Sequence, residues 1–258
     1  MNILEQIITQ KRIEVARCQI ENRTNDLEKM PVFSREVYSI SDYLINKNKS
    51  GIVAEFKRRS PSKGIINDSA SVEEVTGKYE QFGASAISVL TDSSFFGGSM
   101  RDLQKARKCN IPILRKDFII HEYQIIESKA YGADVILLIA ACLSINEVKK
   151  FSAFAKSLGL EVLLEIHDQS ELNHIGENID VVGINTRDLR TFQVNKDQST
   201  ELVKLIPGDL LKIAESGIKS AKDVLEFKNG GFNGFLIGET FMKEENPGEA
   251  FYNFVKQL

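Results

Sequence analysis

The chain has 258 residues, of which 42% are hydrophobic and 27% are charged, an ordinary globular balance with enough length for a full core. Its formal net charge of -3 excludes a broad basic surface for a nucleic-acid backbone, so any bound anion has to be held by a few placed groups. No apolar run is long enough to span a membrane.

The cysteines and histidines are scattered along the chain. Neither set shows the spacing of a disulfide framework or of a metal site. We therefore expect reduced thiols, a cytoplasmic location and no bound metal. The residues concerned are Cys18, Cys109, Cys142, His121, His167 and His174.

The first 50 residues precede the first predicted strand. Apolar residues recur there at helical spacing, at Ile3, Leu4, Ile7 and Ile8, and a second short helix is predicted near residues 41–46. The first helix could plug one end of the fold, or it could overhang the opening of a functional site. The sequence favours neither interpretation.

From residue 51 onward, short apolar runs alternate with amphipathic helical stretches. The runs are apolar on both faces, which is typical of a parallel sheet covered by helices. Eight strands are predicted, at Ile52–Phe56, Ala86–Leu90, Ile113–Lys116, Asp134–Ile139, Glu161–Glu165, Val181–Asn185, Leu211–Glu215 and Gly234–Gly238.

Eight such units predict an α/β fold, a (β/α)8 TIM barrel. We expect a single domain over residues 1–258, with a helical extension at 1–50 and the barrel at 51–258. A doubly wound open sheet is the alternative. The lack of a G-x-G-x-x-G turn after the first strand weakens it.

The unusual charges fall at the C-terminal ends of the predicted strands, where barrel enzymes build their sites. Glu55 and Lys57 have alternate spacing, so they share one face of the first strand. Later strand ends carry Lys116, Glu165, Asn185, Arg187 and Glu215. A structural ion-pair network is the alternative to a functional site, but clustered desolvated charges are costly unless they are used or fully paired.

Small residues follow the last two predicted strands, namely Ser216, Gly217 and Gly238. Turns of this kind let backbone N–H groups approach a phosphate, so we predict a phosphate site there. The loop at residues 60–64 after the first strand adds the hydroxyls of Ser60 and Ser62 and the cation of Lys63, which could close over the same ligand, or it could be an ordinary polar loop.

Aromatic residues follow the second and third predicted strands. Phe96 and Phe118 could form an apolar wall for a flat ring, or they could belong to loops tucked onto the barrel rim. The sequence leaves both possibilities open.

A series of motifs along these strand ends resembles the indole-3-glycerol-phosphate synthase family. Each motif is modest by itself, but the ordered set is highly specific. The motifs are AEFKRRSPSKG (Ala54–Gly64), SVLTD and FFGGS (Ser88–Ser99), LRKDF (Leu114–Phe118), LLEIH (Leu163–His167), GINTRDL (Gly183–Leu189), AESGI (Ala214–Ile218) and LIGET (Leu236–Thr240).

The resemblance implies a lyase of tryptophan biosynthesis. Its substrate would be 1-(2-carboxyphenylamino)-1-deoxyribulose 5-phosphate, and its products indole-3-glycerol phosphate, carbon dioxide and water. It implies no metal and no organic cofactor. The expected partner is therefore a phosphorylated small molecule, with no nucleic acid, no membrane and a monomeric chain.

The resemblance also implies roles for individual residues. Lys116 would be the general acid that protonates the carbonyl oxygen as the carbon–carbon bond forms. Lys57 would pair with the substrate carboxylate and can supply the acid for dehydration. Glu165 would transfer a proton during dehydration, with its direction left open, and Glu55 would orient Lys57 and contact substrate hydroxyls.

The remaining residues would position the substrate. Polar positioning and tuning of the lysines would fall to Asn185, Arg187 and Glu215. Polar and phosphate contacts would come from Ser60, Ser216, Gly217 and Gly238. The aromatic ring would pack against Phe96, Phe118 and Leu189.

Two further residues carry expectations of their own. Thr186, where many family members have a second Asn, should face away from the substrate because it alternates with Asn185 and Arg187. Glu239 should offer only its backbone N–H near the phosphate and turn its carboxylate away.

Three competing functions stay open. A class I aldolase or another Schiff-base barrel would use Lys57 or Lys116 as a nucleophile. Phosphoribosylanthranilate isomerase would share the fold and the phosphate site, although the lysine-rich strand ends suit it poorly. A barrel that merely binds a phosphorylated sugar would gain little from three carboxylates facing an anion.

Overall fold

A computed structural model of the protein describes residues 2–187 and 196–258. Eight parallel strands form a closed barrel in which each strand pairs with its neighbours in sequence. The strands are β1 Ile52–Phe56, β2 Ala86–Leu90, β3 Ile113–Lys116, β4 Val135–Ile139, β5 Glu161–Ile166, β6 Val181–Asn185, β7 Leu211–Glu215 and β8 Gly234–Ile237. They agree with the predicted strands to within one residue at each end. Because β1 pairs with both β2 and β8, the open sheet is excluded.

Helices follow the strands and cover the barrel. They are α1 Ile3–Glu21, α2 Thr24–Leu27, α3 Ile40–Ile45, α4 Val72–Gln81, α5 Met100–Ala106, α6 Glu122–Ala130, α7 Ile145–Ser157, α8 Lys196–Leu202, α9 Ala221–Asn229, α10 Glu239–Met242 and α11 Pro247–Val255. Short 3-10 turns lie at Ala140–Cys142, Gln169–His174 and Val203–Leu205, and Arg59–Ser60 pairs with Gly64–Ile65 in a small hairpin. None of the helices in the described ranges combines the length and the apolar character that a membrane crossing requires.

Serine side chains define several helix starts. The side chains of Ser144 and Ser220 each accept a hydrogen bond from the backbone N–H three residues later. The acidic side chain of that later residue in turn accepts a hydrogen bond from the backbone N–H of the serine. Such capping boxes satisfy N–H groups that the helix itself leaves unpaired. Local sequence therefore sets where these two helices begin.

Side-chain alternation along the strands separates two apolar cores. In β1, Ile52 and Phe56 point outward and pack beneath the helices, whereas Val53 points into the barrel. Because the side-chain period of a strand is two, Glu55 follows Val53 into the barrel interior and Lys57 follows Glu55. The interior is therefore apolar at its base and charged at the C-terminal ends of the strands.

The N-terminal extension reaches both ends of the barrel. Ile3, Leu4 and Ile7 of α1 line a cavity at the C-terminal ends of the strands. At the opposite end, Glu161 at the start of β5 accepts a hydrogen bond from the N–H of Ile40 at 2.6 Å, where α3 begins. For the first helix the structure therefore favours the second interpretation, since α1 overhangs the mouth, and it is α3 that lies at the base.

Asp134 ties the extension to the base of the barrel. Its carboxylate is fully buried and pairs with Arg35 of the extension and with Arg107. It also accepts the backbone N–H groups of Tyr38 and Ile113, both at 2.8 Å. One carboxylate thereby holds four donors, two of them charged, that come from separate parts of the chain.

Replacing Asp134 by Asn should lower the free energy of unfolding by about 3 kcal/mol, because two partly buried guanidinium groups lose their counter-charge. Urea denaturation followed by far-UV circular dichroism measures this loss. Glu201→Gln is the control, because it breaks an exposed pair with Lys204 and should leave the unfolding midpoint unchanged. Equal losses in the two variants would contradict the assignment.

Candidate active site

One cavity of about 430 Å³ opens at the C-terminal ends of the strands. In a barrel of this kind that end carries the catalytic loops. The structure brings together there every predicted site residue that it describes, namely Glu55, Lys57, Ser60, Phe96, Lys116, Phe118, Glu165, Asn185, Arg187, Glu215, Ser216, Gly217 and Gly238. Leu189, the remaining predicted contact, lies outside the described residues.

The ammonium of Lys116 lies between two carboxylates. Its Nζ is 3.0 Å from Oε2 of Glu165 and 2.5 Å from Oε2 of Glu215. Burial by itself would lower the pKa of Lys116, but the charges of Glu165, Glu215 and Glu55 outweigh burial and raise that pKa above its usual value. Lys116 is therefore held as a cation in the free protein.

The two carboxylates that flank Lys116 have opposite tendencies. Burial raises the pKa of both. For Glu165 the charges of Lys116 and His167 and a hydrogen bond from Asn185 prevail, so its pKa is lowered. For Glu215 the opposing effect of Lys116 is not enough, and the nearby charge of Glu165 helps to raise its pKa. The same cation thus has carboxylates with a lowered and with a raised pKa on its two sides.

Lys57 and Glu55 form the second ion pair of the cavity, with 2.5 Å between Nζ and Oε2. The Glu55 carboxylate has room only because residue 238 is glycine. A Cβ atom at Gly238 would lie 2.3 Å from Oε2 of Glu55. Gly238, predicted as a phosphate contact, thus has a second reason to lack a side chain.

Gly183 has the same function for Glu215, and sequence reasoning missed it. A Cβ atom at Gly183 would lie 2.2 Å from Oε1 of Glu215 and 2.9 Å from Cδ2 of Leu163. The available signal was position, since residue 183 shares the inward face of β6 with Asn185. The sequence alone did not reveal this function, because the side chain that fills the space at Gly183 comes from the neighbouring strand β7.

The turn after β7 is held from the adjacent strand. Ser216 and Gly217 both have positive φ, at 68° and 73°. The Thr186 hydroxyl donates to the carbonyl of Ser216 at 3.1 Å. Thr186 does not line the cavity, so its predicted outward orientation is confirmed, and its hydroxyl supports this turn.

Cations gather where the phosphate site was predicted. Lys63, Arg187, Lys219 and Lys243 all line this part of the cavity, and sequence reasoning had not singled out the last two. No side chain caps the first N–H groups of α10, which begins directly after Gly238. This end of the cavity can accept an anionic group.

The orientation predicted for Glu239 is wrong. Its carboxylate lies 3.7 Å from Nζ of Lys63 and 3.9 Å from a guanidinium nitrogen of Arg187, both of which line the cavity. The side chain therefore faces these cations, since they offset the repulsion on which the prediction rested.

An apolar slot lies at the other end of the cavity. The rings of Phe96 and Phe118 are 6.1 Å apart between centroids and tilted by 37°. The apolar residues of α1 line the same cavity. The slot can hold a flat ring, as the aromatic interpretation of these two residues requires.

His167 lies beside Glu165 without lining the cavity, and sequence reasoning missed this contact. Its Nε2 is 3.4 Å from Glu165 and its Nδ1 is 3.5 Å from Glu171. Burial would lower the pKa of His167, but the nearby carboxylates of Glu171 and Glu165 outweigh burial and raise that pKa. A histidine that follows a strand is a weak signal in sequence, although both acids lie within four residues of it.

Within residues 2–187 and 196–258, His, Cys, Asp and Glu side chains form no group of three that could hold a metal ion. The chemistry that the described side chains offer is proton transfer and charge stabilisation. It comes from two ammonium groups, three carboxylates and an amide around one cavity.

Comparisons with known proteins agree along the whole chain. A family model described as Indole-3-glycerol phosphate synthase matches residues 4–254. A protein of Bacteroides thetaiotaomicron with that name is 45% identical over 260 residues, covering 100% of this chain and 99% of that protein. A protein of Burkholderia vietnamiensis with the same name is 41% identical over 256 residues, covering 96% and 97%.

Solved structures with the same fold are more distant. A chain of the tryptophan synthase complex from Pyrococcus furiosus superposes with a TM-score of 0.62 at 16% identity, covering 82% of this chain and 98% of that one. Thiamine phosphate pyrophosphorylase from the same organism gives a TM-score of 0.60 at 15% identity, covering 85% and 98%. At these identities the likeness concerns the barrel fold alone.

Replacing His167 by Gln should cost stability in a pH-dependent way. The folded-state pKa of His167 lies above its ordinary value of about 6.5. A raised pKa contributes stability that is complete below about pH 6 and is lost as the pH rises through the folded-state value. The difference in unfolding free energy between wild type and variant should therefore be largest near pH 6 and shrink toward pH 9. Urea denaturation at a series of pH values tests this, and a difference that grows with pH would refute it.

Proposed function

We propose that this chain, which belongs to the indole-3-glycerol phosphate synthase family, closes the indole ring with the residues gathered around Lys116. The chain is an enzyme of tryptophan biosynthesis, a lyase and decarboxylase. It converts 1-(2-carboxyphenylamino)-1-deoxyribulose 5-phosphate into indole-3-glycerol phosphate, carbon dioxide and water. The observation that supports our assignment of residues is the Lys116 ammonium, held between Glu165 and Glu215 inside the cavity.

The cavity suits the two ends of this substrate. The phosphate would bind where Ser216, Gly217 and Gly238 lie close to the cationic residues. Ser60, in the loop after β1, would add a hydroxyl contact. The anthranilate ring would lie in the apolar slot beside Phe96 and Phe118. The chain between the two ends would then carry its ketone past Lys116.

In the first step, Lys116 would protonate the ketone oxygen while the ring carbon that bears the carboxylate attacks the ketone carbon. The raised pKa keeps Lys116 charged until the oxygen gains electron density and becomes the stronger base. Lys57 would pair with the substrate carboxylate, with Glu55 holding Lys57 in place. Loss of carbon dioxide then restores the aromatic ring.

Dehydration needs an acid for the hydroxyl that leaves the former ketone carbon and a base that takes a proton from the neighbouring methylene carbon, which is bonded to nitrogen. Glu165 fits the base, since its carboxylate lines the cavity beside Lys116 and is ionised at neutral pH. Lys57 fits the acid, because its amino group lines the same cavity and pairs with Glu55. Asn185, Arg187 and Glu215 would orient the substrate and these groups, and Leu189 stays a predicted ring contact.

The geometry disfavours a Schiff-base aldolase. A nucleophilic lysine needs a depressed pKa so that its free amine is populated, whereas the neighbouring carboxylates raise the pKa of Lys116. Borohydride with a carbonyl substrate should therefore trap no adduct at Lys116. A pure binding protein would have no use for three carboxylates close to an anionic ligand.

We also propose that the enzyme is a cytoplasmic monomer that folds as one domain. Support for the single domain comes from Asp134, which joins the extension to the barrel. Support for the reducing compartment comes from the free thiols of Cys18, Cys109 and Cys142. Analytical ultracentrifugation tests the monomer.

Direct assay tests the proposal together with Lys116→Met. Wild type should turn over the substrate without added metal, with a rise of indole fluorescence that the Trp-free chain does not obscure. Lys116→Met should lower kcat about a thousandfold, because the general acid is removed at nearly constant volume. Lys150→Met, at an exposed lysine of α7, is the control and should keep wild-type kcat. Near-normal turnover of Lys116→Met would overturn the role of Lys116.

Gly183→Ala should also lower kcat, because the new methyl group occupies the space of the Glu215 carboxylate. We expect a drop of about tenfold or more with the barrel retained. Gly77→Ala is the matched control, since a Cβ atom at this helical glycine meets nothing within 4 Å. It should keep wild-type kcat and gain about 0.5–1 kcal/mol of stability. Unchanged kcat in Gly183→Ala would show that Glu215 need not stay in place.

A further inference from the structure

A buried lysine of the N-terminal extension stands outside the catalytic set. Lys11 lies on α1 and is 1% exposed. Its Nζ is 2.8 Å from Oδ1 of Asp117, 3.0 Å from Oδ2 of Asp92 and 3.1 Å from Oε1 of Glu14. Lys11 does not line the cavity, so its ammonium acts on the loops behind the cavity wall.

Asp92 and Asp117 each hold the backbone of an aromatic residue. Oδ1 of Asp92 accepts the N–H groups of Phe95 at 2.7 Å and Phe96 at 3.2 Å. Oδ1 of Asp117 accepts the N–H of Phe118 at 2.8 Å. The two carboxylates that Lys11 binds are therefore the same two that fix the loops carrying the ring wall.

We propose that Lys11 is a positioning residue for the reaction, which sets Phe96 and Phe118 at the distance that the substrate ring requires. The inference rests on the proposed function, because it assumes that these two rings contact the substrate. Lys11 would act without touching the substrate, through one ammonium shared by two loop carboxylates.

Electrostatics explains why a single cation can do this. Asp92 and Asp117 are both almost fully buried, and without a cation between them their charges would repel each other at low dielectric. Asp117 has a second cation, because Arg115 lies 3.1 Å away. For Asp92, Lys11 is the only cation paired within the described residues. Loss of Lys11 should therefore disturb the Phe96 loop more than the Phe118 loop.

The same helix also supplies the roof of the slot. Ile7 precedes Lys11 by one helical turn, so the two side chains lie on one face of α1. Ile7 is buried against the cavity, and Lys11 is buried against the loops. The contacts of Lys11 with the two loop carboxylates thus fix the position of Ile7 relative to the rings of Phe96 and Phe118.

Lys11→Met tests the proposal, with Arg35→Met as the matched control. Both variants remove a cation that fastens the extension, but Arg35 binds Asp134 at the base of the barrel. We expect Lys11→Met to raise KM about tenfold with a smaller change in kcat. Arg35→Met should lower the unfolding midpoint and leave KM unchanged. An equal rise of KM in Lys11→Met and Arg35→Met would show that Lys11 only attaches the extension to the barrel, and it would overturn the proposal.

Binding experiments locate the effect in the ring slot. The probes are the borohydride-reduced substrate, which keeps ring and phosphate, and ribulose 5-phosphate, which lacks the ring. Isothermal titration should show that Lys11→Met weakens the reduced substrate about tenfold and ribulose 5-phosphate less than about twofold. Equal weakening of both probes, or of neither, would contradict the proposal. Wild-type turnover is scored separately, so a failure of the proposed function is told apart from a failure of this inference.

A second variant covers the case in which Lys11→Met folds poorly. Lys11→Met combined with Asp92→Asn removes both charges of one pair, so no unpaired charge stays buried at Asp92. We expect recovered stability with KM still raised, because the ammonium link remains absent. Glu14 also pairs with Lys11 but, unlike Asp92 and Asp117, does not bind the backbone of an aromatic residue in the described part of the chain. The KM of the Glu14→Gln variant should therefore stay at the wild-type value. Recovery of both stability and KM in the double variant would overturn the positioning role.

Discussion

The shared contact of one buried ammonium with two carboxylates is the interaction on which the site depends. Lys116, Glu165 and Glu215 come from three strands, and none of them would be stable inside the barrel alone. Together they form a charged layer in which the pKa of Lys116 is raised and that of Glu165 is lowered. An acid and a base can then coexist within one cavity, as ring closure followed by dehydration requires.

Empty space is as necessary to this layer as charge. Glu55 and Glu215 occupy positions that a methyl group at Gly238 or Gly183 would take. The barrel interior is closely packed, so a carboxylate can point inward only where a neighbouring strand omits a side chain. Glycine at these two positions is therefore part of the active-site geometry.

Buried charges also hold the N-terminal extension against the barrel. Buried ion pairs fasten it at both ends, through Asp134 at the base and Lys11 at the mouth. A closed barrel needs no extra helix to cover its sheet edges, because closure leaves no edge strand. The position of α1 over the cavity instead completes an apolar slot that the strand ends alone leave open.

Local pattern determined the strands, the barrel and most of the site. The two-residue period of a strand assigns Glu55 and Lys57 to the interior, and parallel strands bring their C-terminal ends to one mouth. The distances between side chains that are remote in sequence had to come from the tertiary structure. Lys116 and Glu215 are 99 residues apart in the chain, and their contact helps to raise the pKa of Lys116 while it opposes the burial that raises the pKa of Glu215. The orientation of Glu239, the spaces at the glycines and the place of Lys11 depend in the same way on barrel closure, because packing between distant segments has no signature in a local stretch of sequence.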